Sequence, residues 1–431
     1  MVRIKIKVVV IFTLIMAILF TSSGCWDRRE LEEQAFVIMM GIDAGKQNNT
    51  IKLTVMIAIP SKLGGGGGGS PGGGGGKQEE SVSIITTEVP SITGGLNTMN
   101  TYVSRTINLQ HMKMMVIGEK VAKQSTVTES ALGAINRLRE VRRTLNIIVG
   151  KPTAEDFIKS LQPKLGSSPS KYLEDLLIMS EQTGALPKSN YQSFLNNLES
   201  YGAETFALLG SVRKKKDEKR LEENTRIEGA AKTDIPGVDN IPRQGGIDID
   251  LAGTAVFKGA KLAGELTGDE TRIFNMLRGD FRRAFMTFRD PIERDKIFVI
   301  DLRQGSPPRI NIKIKDGQPI IDIKLSLEGD LTAYQSKTNY GEDNEKRKLM
   351  EIMVAGNINE RATKLIKKSQ EEFDTDIFGL GTNNAKHLFL TWQDWIDYHW
   401  LEKFKDAQVN VIVKFSIRRI GLNFSNSKDN R

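Results

Sequence analysis

Apolar and polar residues alternate along several stretches of the chain, which is typical of β-strands. In IKLTVMIAI the residues Ile51, Leu53, Val55, Ile57 and Ile59 fall on one side, and Lys52, Thr54, Met56 and Ala58 fall on the other. This alternation predicts a half-buried strand over 51–59. The simplest partner is 35–42, across the polar turn DAGKQNNT, and a third strand is expected near 81–87.

Further along the chain the apolar period changes repeatedly between two and about 3.6 residues. Strands are predicted at 112–117 and 145–149, and helices at 153–161, 171–181 and 191–199, with Leu96, Met99 and Val103 also at helical spacing. In the C-terminal half, RINIKIKDGQPIIDIKLSLEG predicts a hairpin that turns near Asp316 and Gly317. A long amphipathic helix over 342–373 and a last strand over 409–417 follow. The pattern predicts an α+β protein of several domains, with mixed sheets packed by helices.

Two segments are unsuited to a core and divide the chain. Residues 64–76 read GGGGGGSPGGGGG and offer almost no side chains to bury, so we expect a flexible loop there. Residues 213–246 are charged and carry DIPG and IPRQGG, which is typical of a linker. We therefore predict an N-terminal mixed α/β domain at 25–212, a C-terminal mixed region of one or two subdomains at 247–421, and a polar tail at 422–431.

The first 24 residues have the layout of a signal peptide. Arg3, Lys5 and Lys7 precede an apolar stretch of 13 residues, 8–20, and small residues 21–24 follow it. A membrane-spanning helix needs about 20 apolar residues, so a permanent anchor of that kind is the weaker interpretation. Small residues directly before Cys25, the single cysteine of the chain, resemble a bacterial lipobox. Cleavage between Gly24 and Cys25 and diacylglyceryl attachment to the thiol are predicted; the alternative is an ordinary secretory signal with an incidental cysteine.

Composition narrows the function further. Hydrophobic residues make up 39% and charged residues 26%, as in a globular protein. Loss of the three cations of the leader lowers the formal charge from +8 to +5, which suits a location near anionic headgroups but not a nucleic-acid-binding protein. If Cys25 is acylated, no thiol remains for a disulfide or a cysteine metal site.

No motif in the sequence predicts catalysis. The glycine run before Lys77 lacks the spacing and the Ser or Thr of a P-loop, and GLGTNN at 379–384 lacks the third glycine of a dinucleotide fingerprint. The three histidines, His111, His387 and His399, belong to no zinc or nucleophile motif and are expected to be structural. Neither a metal nor a cofactor is predicted. The segment TWQDWIDYHWLEKF is interpreted as the core of a short helix, with an aromatic sugar-binding or interface surface as the alternative.

Four blocks, together with the lipobox, carry a resemblance to a known family. They are CWDRREL at 25–31 followed by GID at 41–43, LQHMKMMVIGE at 109–119, GTAVFKGAKLAGELTGDET at 253–271, and DIFGLG at 376–381. In this order they resemble the Ger(x)C family, the lipoprotein C subunits of nutrient germinant receptors in endospore-forming bacteria.

The resemblance implies a function that the residue patterns do not. It implies a non-catalytic subunit on the outer face of the spore inner membrane, held by acylated Cys25 and assembled with an A subunit and a transporter-like B subunit. Such complexes sense nutrients and trigger exit from dormancy. Trp26, Asp27, Arg28 and Arg29 form a post-anchor motif without an assigned role. Two alternatives remain open at this point: a membrane-tethered peptidoglycan hydrolase with carboxylates beside the Trp392–Trp400 segment, and a lipoprotein that itself captures the nutrient.

Overall fold

The chain folds around two sheets. The computed structural model describes residues 33–58, 82–161, 169–213 and 245–420, together with positions 11–14, 16, 30, 238 and 241. The first sheet has nine strands: β1 Gln34–Ala44, β2 Ile51–Ala58, β3 Val82–Val89, β4 Thr106–Asn108, β5 Met114–Gly118, β6 Asn146–Lys151, β7 Phe206–Val212, β8 Ile249–Lys258 and β9 Lys261–Leu266. Their order is β3-β2-β1-β5-β6-β7-β8-β9, and β4 pairs with the start of β1.

The first sheet is mixed in direction. Strands β1, β5, β6 and β7 run parallel, with Met39 level with Met114 and Met114 level with Asn146. The outer pairs β1–β2, β2–β3, β7–β8 and β8–β9 are antiparallel. The expected pairing of the second strand with residues 35–42, and the third strand after the glycine run, are confirmed. Residues 64–76 themselves lie outside the described residues.

Helices cover both faces of this sheet. They are α1 Ile92–Met99, α2 Glu119–Ala122, α3 Ser125–Arg137, α4 Ala154–Ser160, α5 Pro169–Thr183 and α6 Tyr191–Leu198. Helices α1, α3 and α6 contribute to one core cluster, and α4 and α5 to the cluster on the other face. The helices predicted at 153–161, 171–181 and 191–199 correspond to α4, α5 and α6.

The prediction that β2 is half-buried was wrong. Thr54 and Met56, on the side expected to face solvent, are completely buried. Met56 packs in the same cluster as Phe157 and Ile158 of α4. A period of two therefore fixed which residues share a face, but it did not determine that a helix covers the second face.

The second sheet has four strands in the order β10-β11-β12-β13. They are β10 Arg283–Arg289, β11 Ile297–Lys315, β12 Gln318–Tyr334 and β13 Gln408–Ile420, and β13 lies parallel to β12. The predicted hairpin is β11–β12, and its loop holds only Asp316 and Gly317, with φ of 52° and 77°. Positive φ at both positions is the geometry of a tight two-residue hairpin turn, which glycine and aspartate tolerate.

Helices α7 Gly268–Arg278, α8 Asn344–Lys368, α9 Leu380–Asn383, α10 Trp392–Asp397 and α11 Trp400–Phe404 accompany the second sheet, with a π-helical turn at Ser369–Phe373. The core stripe of α8 is Met350, Val354, Ile358, Ala362, Leu365 and Ile366. The apolar spacing of the sequence predicts Leu349 and Ile352 in this stripe as well, but they are 47% and 60% exposed. The long helix packs on β13 of the chain's own sheet, as expected, and it also packs on α7.

Strands from both sides of the predicted linker share one sheet. Strand β8 pairs with β7 along its length: Phe206 lies opposite Val256, and Val212 lies opposite Ile249. Strands β8 and β9 therefore extend the N-terminal sheet. Most of the linker segment, including residues 214–237, lies outside the described residues. The proposed division into domains stays a prediction, but the hydrogen-bonded sheet is continuous across it.

Candidate functional site at the junction of the two sheets

The predicted anchor lies outside the described residues. Gly24, Cys25 and the post-anchor residues Trp26, Asp27, Arg28 and Arg29 are not described, so their assigned roles stay predictions. The described body begins at residue 33 and enters β1 at Gln34. There the side chain of Asn108 in β4 donates a hydrogen bond to Gln34 Oε1, and the rings of Phe36 and His111 pack edge to face at 4.9 Å. Two contacts therefore hold the beginning of strand β1 against the segment around β4.

The GID block places a carboxylate at the beginning of helix α4. Asp43 Oδ1 accepts from Ala154 N at 2.8 Å and Oδ2 accepts from Glu155 N at 2.9 Å. These two N–H groups have no partner within the helix, and they carry its positive dipole end. Glycine is needed around this contact because a β-carbon at Gly41 would lie 2.7 Å from Ile158 Cδ1, and one at Gly118 would lie 1.9 Å from Asp43 Oδ1. Two of the family blocks, GID and LQHMKMMVIGE, thus meet at one buried cap.

The charged groups beside this cap shift one another's pKa values. Burial raises the pKa of Asp43, and its two backbone hydrogen bonds oppose that shift. The Glu155 carboxylate accepts from Lys159 Nζ at 2.7 Å and from Lys52 Nζ at 2.9 Å. These contacts lower the pKa of Glu155 to about 2 against the cost of burial. The arrangement keeps Glu155 ionised and holds α4 on the sheet.

The DIFGLG block forms a buried loop around a single carboxylate. Asp376 is completely buried, and its Oδ1 accepts from the backbone N–H groups of Phe378 at 3.0 Å and Gly379 at 2.9 Å. Its Oδ2 accepts from Gly381 N and from Trp400 Nε1, both at 2.9 Å. Burial raises the pKa of Asp376, while these four N–H donors stabilise the charged form and oppose that shift. The four donors to the carboxylate are three N–H groups of this loop and one indole, which is the pattern of a structural carboxylate.

The same loop joins the second sheet to the end of helix α6. Glu204 N donates to Asp376 O, and Thr382 N donates to Gly202 O, both at 3.0 Å. Gly202 allows this approach, since a β-carbon there would lie 2.5 Å from the ring of Trp395. Arg278 Nη1 donates to Phe378 O at 3.0 Å from the opposite side. The DIFGLG loop therefore connects the segment between α6 and β7 to the helices of the second sheet.

The block GTAVFKGAKLAGELTGDET forms the other half of the junction. It comprises most of β8, all of β9 and the beginning of α7, where Thr267 and Glu270 form a reciprocal capping box. Gly253 has φ of 98°, and a β-carbon there would lie 2.3 Å from Leu266 O of the neighbouring strand. Lys258 Nζ lies 2.7 Å from Asp374 Oδ2, just before the DIFGLG loop. This block therefore connects the last strands of the first sheet to the core of the second.

A cleft opens between strand β10 and helix α8. Its volume is about 350 Å³, and it is lined by Thr287, Phe288, Arg289, Asp290, Arg294, Met353, Asn357 and Arg361. Three arginines and one aspartate give it an excess of positive charge. Burial opposes the ionisation of Asp290, but hydrogen bonds from Tyr340 and from Glu293 N hold its pKa below its ordinary value. This cleft suits a small anion, because guanidinium groups favour carboxylate and phosphate oxygens.

The tryptophans of the TWQDWIDYHWLEKF segment differ in how deeply they are buried. Trp395 and Trp400 are 3% and 0% exposed and pack in the core of the second sheet, which confirms the core interpretation for these two residues, although the segment forms the two helices α10 and α11 and not one. They are therefore buried rather than on the open surface that the hydrolase alternative needs. Trp392 is 62% exposed. No group of three or more His, Cys, Asp or Glu side chains is placed to bind a metal ion within the part of the chain that the structure describes.

Sequence reasoning missed the central residue of the junction. DIFGLG was noted as a family block, but nothing in its pattern pairs Asp376 with Trp400, which lies 24 positions later in the chain. The two glycines after Asp376 were the available signal, because a carboxylate followed by glycines is typical of a loop that bonds to its own backbone. The cleft is built from two segments, 287–294 and 353–361, that lie about 60 positions apart in the chain, so no local pattern could have identified it.

The fold and the junction define a class: an α+β protein in which a mixed nine-stranded sheet and a four-stranded sheet are joined by a loop around a buried aspartate. A family model described as the spore germination protein N-terminal domain matches residues 27–209, and one described as spore germination B3/GerAC like, C-terminal, matches residues 252–421. The chain belongs to the Ger(x)C family of spore germination proteins.

Two relatives and one solved structure are similar to this chain over most of its length. Spore germination protein KC of Bacillus subtilis (strain 168) is 26% identical over 403 residues, covering 93% of this chain and 92% of the relative. Spore germination protein B3 of the same organism is 22% identical over 420 residues, covering 95% and 97%. The crystal structure of the GerBC protein covers 88% of this chain and 97% of its own, at 17% identity and a TM-score of 0.47. Among the described residues, no helix is long and apolar enough to span a bilayer.

Proposed function

We propose that this protein is the lipid-anchored, non-catalytic C subunit of a nutrient germinant receptor, needed for spore germination in response to nutrients. Cys25 carries a diacylglyceryl group that holds the protein on the outer face of the spore inner membrane. The two-sheet body contacts the A and B subunits and makes the receptor competent to respond.

The match of both family models to the two halves of the chain is the observation that carries this proposal. The leader and the small residues before Cys25 support the anchor. Two acyl chains give stable attachment where one chain is marginal, because each buried CH2 contributes about 0.8 kcal/mol. A non-catalytic role is supported by the use of Asp43 and Asp376 as backbone-bonded structural carboxylates.

Spores that carry Cys25→Ala test the proposal. The response to a nutrient that wild-type spores use through this receptor is followed by dipicolinate release, with added dipicolinate as the receptor-independent trigger. We expect the nutrient response to be lost while the control trigger still works and immunoblotting shows that the protein is present. A full deletion with an unchanged nutrient response would contradict a role in germination, whereas an unchanged response of Cys25→Ala alone would contradict only the need for the anchor.

The arginine-lined cleft favours a second candidate function, capture of a small anionic nutrient by this subunit. Arg361 lies on α8 at the cleft, and its Nη1 is 4.0 Å from Asp269 Oδ2. Calorimetric titration of the purified chain with L-glutamate and with inorganic phosphate tests this function. Saturable binding that Arg361→Gln abolishes and Arg418→Gln retains would favour capture. Absence of heat with both anions would leave the receptor-scaffold function alone.

A further inference from the structure

The parallel strands of the first sheet all begin at one end of it, here called the start end. Met39, Met114 and Asn146 lie level with one another in β1, β5 and β6, and β7 follows in parallel register. Strand β1 begins five residues before Met39, at Gln34. At about 3.3 Å per residue, its first part projects about 16 Å beyond the level of Met39. The segment that connects Cys25 to the body therefore joins it at the start end.

A basic loop lies at the start end, beside the beginning of β1. It runs from Arg137, the last residue of α3, to residue 145 before β6, and its exposed cations are Arg137, Arg139, Arg142 and Arg143. Glu140 Oε2 accepts from Leu109 N at 3.3 Å, and Leu109 directly follows β4, which pairs with the first residues of β1. None of these arginines forms an ion pair with a described residue. The loop thus presents four cations and one carboxylate next to the point where the chain enters the body.

An exposed apolar patch lies at the same end. Tyr201 is five residues before the start of β7, and its ring packs edge to face on Trp392 with centroids 6.0 Å apart. The two rings are 54% and 62% exposed, and Leu388 and Leu390 beside Trp392 are 49% and 100% exposed. Exposed clusters of this kind mark contact sites, and tryptophan and tyrosine prefer the membrane–water interface.

We propose that the start end is the membrane-facing surface of the protein, with the basic loop on anionic lipid headgroups and the Tyr201–Trp392 patch at the interface. This orientation rests on the acyl anchor of the proposed function. Gln34 lies nine residue steps after Cys25, and a chain of that length spans at most about 30 Å. The anchor therefore keeps the start end, and not the β1–β2 turn at the opposite end of the sheet, within reach of the bilayer.

The charge of the loop fits an anionic bilayer. Each arginine near such a surface strengthens association about fivefold, and the effect decays within a Debye length of about 8–10 Å. An orientation held by the basic loop must therefore depend on anionic lipid and weaken at high salt, whereas the acyl anchor itself must not.

The lipidated full chain allows a direct test. Cys25 is the single cysteine, so once it is acylated an introduced cysteine is the single free thiol. Thr144→Cys places a fluorophore in the basic loop, and Asn48→Cys places one in the β1–β2 turn at the opposite end. Both chains are reconstituted into vesicles of phosphatidylcholine, with or without phosphatidylglycerol, that contain a lipid-attached quencher. Flotation of the vesicles reports anchoring independently of quenching.

We expect both chains to float with the vesicles and the Thr144 probe to be quenched severalfold more than the Asn48 probe, with the difference largest in anionic vesicles. Adding Arg139→Gln and Arg142→Gln must reduce quenching of the Thr144 probe in anionic vesicles at least severalfold, as must high salt. The control pair Lys46→Gln and Lys120→Gln removes two exposed cations from the opposite end. It must leave quenching of the Thr144 probe in anionic vesicles unchanged. Leu390→Gln removes an apolar side chain from the exposed patch, so it must reduce quenching of the Thr144 probe in both lipid mixtures. Leu390 is fully exposed, so the substitution leaves the core intact.

Equal quenching of the two probes in chains that float would overturn the orientation while leaving the anchor of the proposed function intact. An unquenched Thr144 probe in these lipid vesicles would assign the start end to a protein partner instead. Chains that fail to float would remove the anchor itself, on which both proposals rest.

Discussion

The indole Nε1–H of Trp400 donates to Asp376 Oδ2 over 2.9 Å, and both residues are completely buried. This contact fixes helix α11 to the loop that joins the second sheet to the residues before β7. A buried carboxylate is stable here because four N–H groups replace the water that it loses. The Asp376 loop thus connects the two sheets through hydrogen bonds at the point where they meet.

Replacement of Asp376 by asparagine should destabilise the fold. The amide NH2 cannot accept a hydrogen bond, so two of the four buried donors lose their acceptor, and we expect a loss of about 1–3 kcal/mol in the free energy of unfolding. Urea unfolding followed by circular dichroism measures it. Asp397→Asn, an exposed change in the same segment, is the matched control and should stay within about 0.5 kcal/mol of wild type. Equal stability of the two variants would contradict the structural role of Asp376.

The glycine at position 118 should be necessary for the cap of α4. A β-carbon at Gly118 would lie 1.9 Å from Asp43 Oδ1, so Gly118→Ala must displace the carboxylate from its two N–H donors. We expect a loss of about 1–3 kcal/mol. Gly356→Ala is the control: this site is exposed within α8, nothing lies within 4 Å of the added carbon, and a gain of about 0.5–1 kcal/mol is expected. The two alanines should therefore shift the urea midpoint in opposite directions.

The tryptophans of one short segment should differ sharply in their contribution to stability. Trp400 is completely buried, so Trp400→Ala should cost about 3–5 kcal/mol by leaving a cavity and removing one of the four N–H donors to Asp376. Trp392 is 62% exposed, and Trp392→Ala should cost less than about 1 kcal/mol. Thermal unfolding by far-UV circular dichroism compares the two. A large loss for Trp392→Ala would show that its patch is part of the core and would argue against a free surface there.

The contribution of Glu155 should depend on pH in a defined direction. Its folded pKa of about 2 lies below the unfolded value near 4.5, so its stabilisation is fully present above pH 4.5 and is lost as the pH falls toward 2. We expect Glu155→Gln to cost about 1–2 kcal/mol at pH 7, after allowance for solvent screening. The difference from wild type should shrink steadily between pH 4.5 and 2.

Glu129→Gln, an exposed change on α3, is the control for the pH series and should show no such trend. Urea unfolding at several pH values measures both variants. A cost of Glu155→Gln that is constant with pH would mean that the pairs with Lys52 and Lys159 do not stabilise the folded state.

Local sequence patterns predicted most elements but not what covers them. The hairpin β11–β12, the helix α8 and the strands β1, β2 and β13 follow from alternation and helical spacing, because these periods depend only on near neighbours. The same patterns placed Leu349 and Ile352 of α8 in the core and the second face of β2 in solvent, and both expectations were wrong. Burial depends on which other element packs there, and a helix from 100 residues away covers that face of β2.

The sequence by itself determined the α+β class, the hairpin turn and the family, and it predicts the leader and its acylated cysteine, since each of these depends on residue order alone. Only the tertiary structure decided that Asp43 caps α4, that Asp376 bonds to Trp400, and that β8 and β9 complete the first sheet. Only it placed the basic loop beside the start of β1. The physical reason is that these relationships join residues far apart in the chain, where hydrogen bonding and exclusion of water select the partners and no local period records them.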